Sequence, residues 1–364
     1  MATAQMKWSR VVLLAAMAAL ASLSRAAEVG AAAAATPATA TTGDIPKTMR
    51  AAAFDRPGGP DVLSVHTLPV PELDANEVLI AVRTAGVSVW DGDNRQRLAY
   101  ISKPHFPVVI GSDGAGLVAA VGSGVTSFRV GDKVYGSCWD NPKGGFYAEY
   151  AAVPARCMAH LPKGVSLDAA GALAASGLTA LRGIDEVLRV KPGERLIIHG
   201  ASGAVGTLAV QFAKLRGAMV LATASGDDGI ALVRRLGADA AVEGHHGDIA
   251  AAAHNFAPQG ADAVLALAAG DGLQRCIDAL RPGGHVAYPG GVEPAPMAHE
   301  GITVVAYDAV VGSEEAALAR LNQVIESGKF EIPIAATFAL AEADKAHERL
   351  AVGHVLGKVL LRVR

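Results

Sequence analysis

The spacing of hydrophobic and polar residues changes once along the chain. From Lys47 to about Leu161, short apolar runs are separated by clusters of Gly, Pro and Asp, which predicts a small β-rich domain. From about Ala169, apolar runs of strand length alternate with helical stretches of ten or more residues. That alternation predicts βαβ units and therefore a parallel sheet.

Individual elements of the second region can be placed. Gly283 and Gly284, after Leu280, predict a helix stop ahead of a buried strand, because glycine adopts the left-handed conformation at helix ends. The tail predicts an amphipathic helix over about 341–351, followed by a last strand over 358–363. The strands predicted for the parallel sheet are 195–199, 219–223, 240–242, 263–267 and 285–288.

The N-terminus has the pattern of a targeting segment. Lys7 and Arg10 precede an apolar run from Val11 to Leu23, and small residues follow around Ala26, which predicts a secretory signal peptide over 1–26 and a flexible linker over 27–47. The run is shorter than the roughly 20 residues that cross a bilayer as a helix, so no stable membrane anchor is expected. We therefore expect export, to the periplasm or the outside. The alternatives are an organelle, reached by a transit peptide, or the cytoplasm.

Composition excludes several classes of protein. Of the 364 residues, 51% are hydrophobic and 18% charged, which suits a folded chain of about two domains. The net charge of −3 leaves no excess of cations for a phosphate backbone, so we expect no nucleic-acid partner. Cys138, Cys157 and Cys276 form no CxxC pair, which excludes a disulfide framework or a thiolate zinc site. Cys138 and Cys157 are expected to be buried as small hydrophobic residues.

The most informative motif is a glycine-rich turn between a predicted strand and a predicted helix. Gly203 lets the backbone approach a pyrophosphate, Gly206 lets the helix pack on the strand, and the N-terminus of the helix attracts phosphate. A turn that merely connects strand and helix is the alternative interpretation. The candidate cofactor-binding residues in the turn are Ala201, Ser202, Gly203, Ala204, Val205 and Gly206.

The second predicted strand ends in Thr223-Ala224-Ser225, where NAD-selective sites place a carboxylate on the ribose. Without that carboxylate a 2′-phosphate can be accepted, and Ser225 can donate to it, which favours NADPH as the cofactor. Two features oppose this prediction. Asp227 and Asp228 follow closely, and no Lys or Arg appears before Arg234.

Several short blocks occur in a fixed order between residues 48 and 364. They are Met49-Arg50-Ala51, Ala85-Gly86-Val87-Ser88-Val89-Trp90-Asp91, Gly111-Ser112-Asp113-Gly114-Ala115-Gly116, Gly131-Asp132-Lys133-Val134, Gly145-Phe146-Tyr147-Ala148-Glu149, the turn from Ala201 to Gly206, Leu236-Gly237-Ala238-Asp239 and Gly357-Lys358-Val359. With these blocks the chain resembles the medium-chain dehydrogenases/reductases, and within them the zinc-free quinone oxidoreductase-like branch.

The resemblance implies an α/β protein with two domains. A GroES-like β-barrel catalytic domain would span 48–170 and 331–364, and a Rossmann nucleotide-binding domain with a doubly wound parallel sheet would span 171–330. The active site would lie in the cleft between them, and a homodimer is expected. Ser88 and Asp91 line the cleft by family position, and Tyr100 is the nearest phenol able to donate to a carbonyl. Thr179, Gly290 and Lys358 join the cofactor-binding candidates.

The resemblance also locates the positions of a catalytic zinc. Zinc-dependent members bind it with a Cys, a His-Glu pair and a later Cys, and they carry a four-cysteine lobe. This chain has Ser88, Ser112-Asp113 and Ser176-Gly177 at those positions. A hydroxyl is a poor zinc ligand, so no metal is expected. The pair His245-His246 is predicted to be a solvated surface pair, because no acidic or thiolate partner accompanies it at ligand spacing.

These observations favour a reductase. Without a metal to polarise an alcohol, hydride donation is best suited to an already activated acceptor, such as a quinone or an α,β-unsaturated carbonyl. We therefore expect an NADPH-dependent oxidoreductase with a small-molecule quinone or enone substrate. Asp91 has a cap of the local backbone as its alternative role, and Tyr100 has simple packing. Two alternatives for the whole chain are a nucleotide-binding protein without turnover and an alcohol dehydrogenase with an unrecognised metal site.

Overall fold

The computed structural model describes residues 40–41, 45–99, 101–297, 299–309 and 314–364. The predicted signal peptide, most of the predicted linker and the candidate Tyr100 lie outside the described residues. Within the described part, no helix combines the length and the apolar character needed to cross a membrane.

The regular elements follow one another as listed here in chain order. The strands are β1 (Ala40–Thr41), β2 (Thr48–Phe54), β3 (Ser64–Pro69), β4 (Glu77–Val87), β5 (Val108–Val109), β6 (Asp113–Val121), β7 (Lys133–Ser137), β8 (Tyr150–Pro154), β9 (Met158–His160), β10 (Arg195–His199), β11 (Met219–Ala224), β12 (Ala240–Glu243), β13 (Ala261–Ala266), β14 (Leu280–Pro289), β15 (Thr303–Tyr307), β16 (Ile334–Ala339) and β17 (Lys358–Arg362). The α-helices are α1 (Val89–Arg97), α2 (Leu167–Ala170), α3 (Ala174–Arg182), α4 (Ala204–Leu215), α5 (Gly226–Arg235), α6 (Ile249–Phe256), α7 (Asp271–Asp278), α8 (Glu314–Glu326) and α9 (Ala343–Ala351). Short 3-10 helices cover Pro60–Val62, Ala155–Cys157 and Leu340–Glu342, and a π-helical turn covers Gly183–Val187.

The first region, together with the two strands of the tail, forms two β-sheets, which confirms the predicted β-rich texture. An eight-stranded sheet runs in the order β16-β17-β4-β6-β7-β9, with β1 paired to β6 and β8 paired to β4. Its pairs are antiparallel except β16 with β17. A three-stranded sheet has the order β3-β2-β5. Alternate residues of these strands enclose one apolar core, in which Ile80, Val118 and Tyr147 are fully buried.

The second region forms the predicted parallel sheet. Its six strands run in the order β12-β11-β10-β13-β14-β15, and each adjacent pair is parallel. Leu196, Ile197 and Ile198 of β10 are fully buried, as expected for a strand covered by helices on both faces. Separate apolar clusters lie on the two faces, with α4 in one and α6 in the other. The α/β fold class predicted from the sequence is thus confirmed.

The prediction that Gly283 and Gly284 stop a helix is wrong. Helix α7 already ends at Asp278, and both glycines lie inside β14. Along β14, Leu280 pairs with Ala261 and His285 pairs with Ala263, so the residues between them have no register partner in β13 and bulge out of that ladder. The positive φ of 78° at Gly283 therefore serves a β-bulge, which needs the same conformational freedom as a helix end.

The tail of the chain contacts the glycine-rich turn after β10 through its backbone. The N–H of Gly357 donates to the carbonyl oxygen of Ser202 at 2.9 Å, and Gly203 forms an isolated parallel bridge with Gly357. Gly357 has φ 94°, and a Cβ there would overlap the carbonyl oxygen of Pro333. Only glycine fits this position, because both the conformation and the space exclude a side chain.

Candidate active site

The turn after β10 has the features of a phosphate-binding loop. Gly203 is the N-cap of α4, no side chain caps this helix, and its first turn contains no acidic residue. A Cβ at Gly203 would meet only the carbonyl oxygen of Gly200, at 3.6 Å, so the space above the turn is open. The first N–H groups of the helix therefore remain available for an anion. The predicted residues Ala201 to Gly206 fit the diphosphate of a dinucleotide.

Two neighbours fix the shape of this turn. A Cβ at Gly206 would overlap the backbone of Gly200 and Ala201, so Gly206 serves packing between helix and strand as predicted. Thr223 accepts the N–H of Ala201 on its carbonyl oxygen at 2.9 Å, and its hydroxyl accepts the N–H of Gly200 at 3.1 Å. Sequence reasoning noted Thr223 only as part of an acid-free strand end and missed this role.

Ser225 lies at the predicted ribose position. Its N–H donates to the hydroxyl of Ser202 at 3.2 Å, and its own hydroxyl lies 2.6 Å from Nδ1 of His354. Nε2 of His354 lies 3.0 Å from Asp228, and the hydrogen bond from this imidazole lowers the pKa of the Asp228 carboxyl. An imidazole and a carboxylate thus lie beside the predicted ribose position, and His354 was not among the residues predicted from the sequence.

Thr179 and Gly290 are brought together by Tyr307. The hydroxyl of Tyr307 donates to the carbonyl oxygen of Thr179 at 3.1 Å, and the N–H of Gly290 donates to the carbonyl oxygen of Tyr307 at 3.1 Å. Thr179 lies in α3 and Gly290 directly follows β14. The two candidates predicted for the cofactor thus contact the same tyrosine, one at its hydroxyl and one at its backbone carbonyl.

Lys358 lies apart from the glycine turn, in a buried polar cluster. Its ammonium lies 2.5 Å from the hydroxyl of Ser88, 3.1 Å from Asp113 and 3.3 Å from the hydroxyl of Ser176. Its side chain is 3% exposed. The positions at which zinc-dependent members would bind their metal are thus gathered around an ammonium group.

Asp91 anchors the backbone of this cluster. One carboxylate oxygen accepts the N–H of Ser88 at 2.9 Å, and the other accepts the N–H of Ser112 at 3.2 Å. Burial raises the pKa of Asp91 to about 7, against the lowering effect of nearby Lys358. With both oxygens bound to backbone, Asp91 positions the two serines, which was the alternative role considered from the sequence.

Two tryptophans border the cluster on its more open side. The indole N–H of Trp90 donates to the hydroxyl of Ser112 at 2.6 Å, and its ring centroid lies 5.0 Å from the ammonium of Lys358. Trp139 packs against Trp90 with ring centroids 5.1 Å apart, and both side chains are partly exposed. Neighbouring Val89 is 65% exposed. These residues form an apolar border suited to a flat conjugated molecule.

Other sequence predictions have mixed outcomes. Tyr100, the third catalytic candidate, lies outside the described residues. His245 and His246 are exposed, as predicted. Among the described residues, no group of three or more His, Cys, Asp and Glu residues is arranged to hold a metal ion. Cys138 and Cys157 are buried, as predicted, but their sulfur atoms lie 3.4 Å apart, a proximity that the sequence did not indicate.

Comparisons with known proteins place the chain in a family. Residues 74–163 match the family model described as an alcohol dehydrogenase GroES-like domain, and residues 236–361 match the model described as a zinc-binding dehydrogenase. A quinone oxidoreductase of Mus musculus is 32% identical over 330 residues, which cover 86% of this chain and 98% of the relative. The chain belongs to the medium-chain dehydrogenase/reductase superfamily, in its quinone oxidoreductase-like branch.

Two further relatives extend the picture of this oxidoreductase. An NADPH-dependent alkenal/one oxidoreductase of Arabidopsis thaliana, described as chloroplastic, is 31% identical and covers 87% of this chain and 80% of its own. The crystal structure of an NAD-dependent alcohol dehydrogenase is 31% identical, covers 87% of this chain and all of its own, and has a TM-score of 0.78. The family membership expected from the motif blocks is therefore confirmed, together with the GroES-like and Rossmann-like architecture.

Proposed function

We propose that this oxidoreductase transfers a hydride from NADPH to a quinone or an α,β-unsaturated carbonyl and needs no zinc. The observation that carries the proposal is the succession of Gly357 and Lys358. Gly357 is hydrogen-bonded to the glycine turn, and the next residue places its ammonium against Ser88. Adjacent residues thus connect the glycine turn to the buried polar cluster, which supports binding of cofactor and substrate side by side.

The chain's own residues divide the work of binding. The open N–H groups after Gly203 bind the diphosphate, and Thr179 and Gly290, which both contact Tyr307, border the nicotinamide end. The nicotinamide supplies the hydride when it is bound. The surface formed by Trp90 and Trp139 positions a flat acceptor and excludes water from it.

The preference for NADPH is part of the proposal. It is supported by the lack of an acid at the end of β11, by the Ser225 hydroxyl, and by a relative that is described as NADPH-dependent. Asp228 and a structurally similar NAD-dependent protein favour the other cofactor. The relative affinities for the two cofactors decide between them. A charged hydrogen bond from the protein to the 2′-phosphate would lower the Kd of NADPH relative to that of NADH by roughly tenfold or more.

The direct test is turnover by the purified protein. NADPH or NADH is mixed anaerobically with 9,10-phenanthrenequinone, with menadione or with trans-2-hexenal, and loss of the reduced nicotinamide absorbance is followed. We expect oxidation with at least one acceptor and a higher kcat/KM for NADPH. The Gly203→Val variant is the control, since it should lose turnover with every acceptor in proportion to its lost cofactor binding.

Other outcomes would support the alternatives. Stoichiometric NADPH binding without oxidation across the panel would favour a nucleotide-binding protein without turnover. Oxidation of simple alcohols with NADP+ or NAD+, lost on treatment with a chelator, would favour a metal-dependent alcohol dehydrogenase. Elemental measurement of zinc in the purified protein separates this second alternative from the proposed function.

Three expectations about the whole protein are proposals of the same kind. Export, to the periplasm or the outside, follows from the N-terminal pattern. The division into a catalytic domain over 48–170 and 331–364 and a nucleotide domain over 171–330 can be tested by limited proteolysis. The expected homodimer can be tested by light scattering on the purified protein. None of the three bears on the chemistry of the cluster around Lys358.

A further inference from the structure

The ammonium of Lys358 is surrounded by oxygen atoms. Its three N–H donors have three oxygen partners, namely the hydroxyls of Ser88 and Ser176 and one oxygen of Asp113. The other oxygen of Asp113 accepts the N–H of Ala175 at 2.8 Å, so this carboxylate is held in place. Because the donors of Lys358 are all used, the ammonium has no further bond to offer to a ligand.

The serine hydroxyls, in contrast, each have a hydrogen left to donate. An ammonium group can only donate, so the oxygen of Ser88 must accept and its hydrogen points elsewhere. The indole N–H of Trp90 can likewise only donate, so Ser112 is left in the same state. In the part of the chain that the structure describes, neither hydroxyl hydrogen has a protein acceptor. Ser88 and Ser112 are therefore two hydroxyls prepared to donate.

These two serines are close to each other. Their backbone N–H groups bind the two oxygens of one carboxylate, that of Asp91. Trp90, which donates to Ser112, also lies over the ammonium that donates to Ser88. Both hydroxyls consequently share the neighbourhood of one carboxylate and of the Trp90 indole, against which Trp139 packs.

A second, independent observation also indicates a polar ligand here. Ser137 is 5% exposed, and its hydroxyl has no hydrogen-bond partner among the described residues. Ser137 lies directly opposite Asp113 in the register of β6 and β7, and opposite residues of an antiparallel pair project on the same face. Buried polar atoms without partners are rare in folded proteins, and such an atom next to the cluster indicates an absent oxygen or nitrogen ligand.

We propose that Ser88 and Ser112 bind the carbonyl oxygen of a conjugated substrate, and that Lys358 is the positioning residue that polarises Ser88 for this role. The proposal rests on the proposed function and names the atoms that recognise its substrate. Hydrogen bonds that are in place before reaction stabilise the negative charge that develops on the oxygen when a hydride adds to the conjugated system. A metal ion supplies the same stabilisation in other enzymes by withdrawing electrons from the oxygen.

The test uses a coloured conjugated aldehyde, 4-(dimethylamino)cinnamaldehyde, whose absorption band moves to longer wavelength when its carbonyl oxygen is polarised. NADP+ is present to fill the nucleotide site, because the oxidised cofactor cannot reduce the probe. We expect the wild-type protein to shift the band. Ser88→Ala and Ser112→Ala should each reduce the shift and weaken binding of the probe by about tenfold, the scale of one lost hydrogen bond.

The variants that test Lys358 are chosen to keep the protein folded. Lys358→Met together with Asp113→Asn removes both buried charges at once, and the amide oxygen of the asparagine can still accept the N–H of Ala175. We expect the shift to be lost in this double variant. Lys345→Met, which removes an exposed ammonium bonded to Glu342, should keep it. Ser88→Ala tests the same proposal with the buried ion pair intact.

A probe without the oxygen separates recognition from a general effect on the site. The hydrocarbon analogue 4-(dimethylamino)styrene should bind equally well to the wild-type protein and to Ser88→Ala. A wild-type band shift that persists in Ser88→Ala and in the double variant would overturn the inference, as would the absence of any shift. NADPH turnover without a shift would support the proposed function and contradict the carbonyl site at Ser88 and Ser112. A shift without turnover would support the carbonyl site and contradict the proposed function.

Discussion

The ammonium of Lys358 lies 2.5 Å from the hydroxyl of Ser88, although 270 residues separate the two along the chain. The contact forms because the C-terminal strand β17 returns to pair antiparallel with β4, which leads directly into Ser88. The lysine passes over Gly86, where a Cβ would come within 2.8 Å of its side chain. The return of the C-terminal strand therefore completes the candidate site.

The glycine turn provides a prediction with an internal contrast. Gly203→Val should abolish binding of NADPH and leave the protein folded, because the position has an ordinary φ of −77° and open space above it. Gly206→Val should instead unfold or strongly destabilise the protein, since its side chain would overlap the backbone of Gly200. Calorimetric titration with NADPH and thermal unfolding measure the two effects. Unchanged NADPH affinity in Gly203→Val would remove this turn from the site.

A second prediction concerns the choice of cofactor. Ser225→Asp should weaken NADPH by about tenfold to a hundredfold, because a carboxylate would repel the 2′-phosphate. NADH should be spared or bind better, since its ribose hydroxyl can donate to the new acid. Titration with 2′,5′-ADP and with 5′-AMP isolates this end of the nucleotide. If the wild-type protein binds both fragments equally well, the proposed NADPH preference is wrong.

Asp228 allows the converse experiment. Its carboxylate lies beside His354 at the same end of the site and is largely exposed to solvent. Asp228→Asn should strengthen binding of 2′,5′-ADP about two- to fivefold at low ionic strength, because one repelling charge is removed from an exposed site. Added salt should erase the gain by screening. Asp344→Asn, in the first turn of helix α9 and ten residues before His354, serves as the matched control and should give a smaller gain.

The buried titratable groups predict how stability changes with pH. Burial lowers the pKa of His199 to about 4 and that of His347 to about 3, so the folded protein keeps both neutral where the unfolded chain takes up two protons. Asp91 acts in the opposite sense, because its pKa of about 7 lets the folded protein bind one proton that the unfolded chain does not. Between about pH 6 and pH 4, these groups give the unfolded state one excess proton, and stability falls on acidification by about 1.4 kcal/mol per pH unit.

The histidine variants check this sign directly. His347→Gln removes one proton from the unfolded state's excess and should flatten the pH dependence by about 1.4 kcal/mol per unit. Denaturation by urea at pH 6 and at pH 5 gives the two slopes. His199→Gln, at the other buried histidine, should flatten the pH dependence in the same direction. Equal slopes in wild type and His347→Gln would contradict the assigned pKa of His347.

The last prediction concerns the N-terminus of the mature protein. The small residues after the apolar run place it between about Ala26 and Ala35. N-terminal sequencing of protein isolated from its native cell fraction checks this. Recovery of an N-terminus at Met1 or Ala2 would count against export.

Local patterns predicted the strand and the helix on either side of the glycine turn, and long-range contacts explain what the sequence left out. Strand β10 was predicted with its observed bounds, because a buried parallel strand is a continuous apolar run. The order of glycines likewise located the turn. In contrast, His354 reaches Ser225 across 129 residues, and Lys358 joins Ser88 only through the pairing of β17 with β4. No spacing along one segment encodes such contacts.

Lys358 lies in the buried polar cluster, although the resemblance made it a cofactor-binding candidate. Its block, Gly357-Lys358-Val359, is one of those that carry the resemblance. In the structure, the two neighbours divide between the two partners, with Gly357 on the turn and Lys358 in the buried cluster. Gly357 makes its contact through its backbone and Lys358 through its side chain, so one block can serve both.

The bridge between Gly203 and Gly357 also restricts how the molecule can move. A backbone hydrogen bond at that point holds the two sheets at a fixed spacing, so any rotation that parts them must turn about this bond or break it. Residues close to the bond then travel least and residues far from it travel most. A rotation about this bond would therefore displace a dinucleotide seated beside it little and the distant rim of the cleft most.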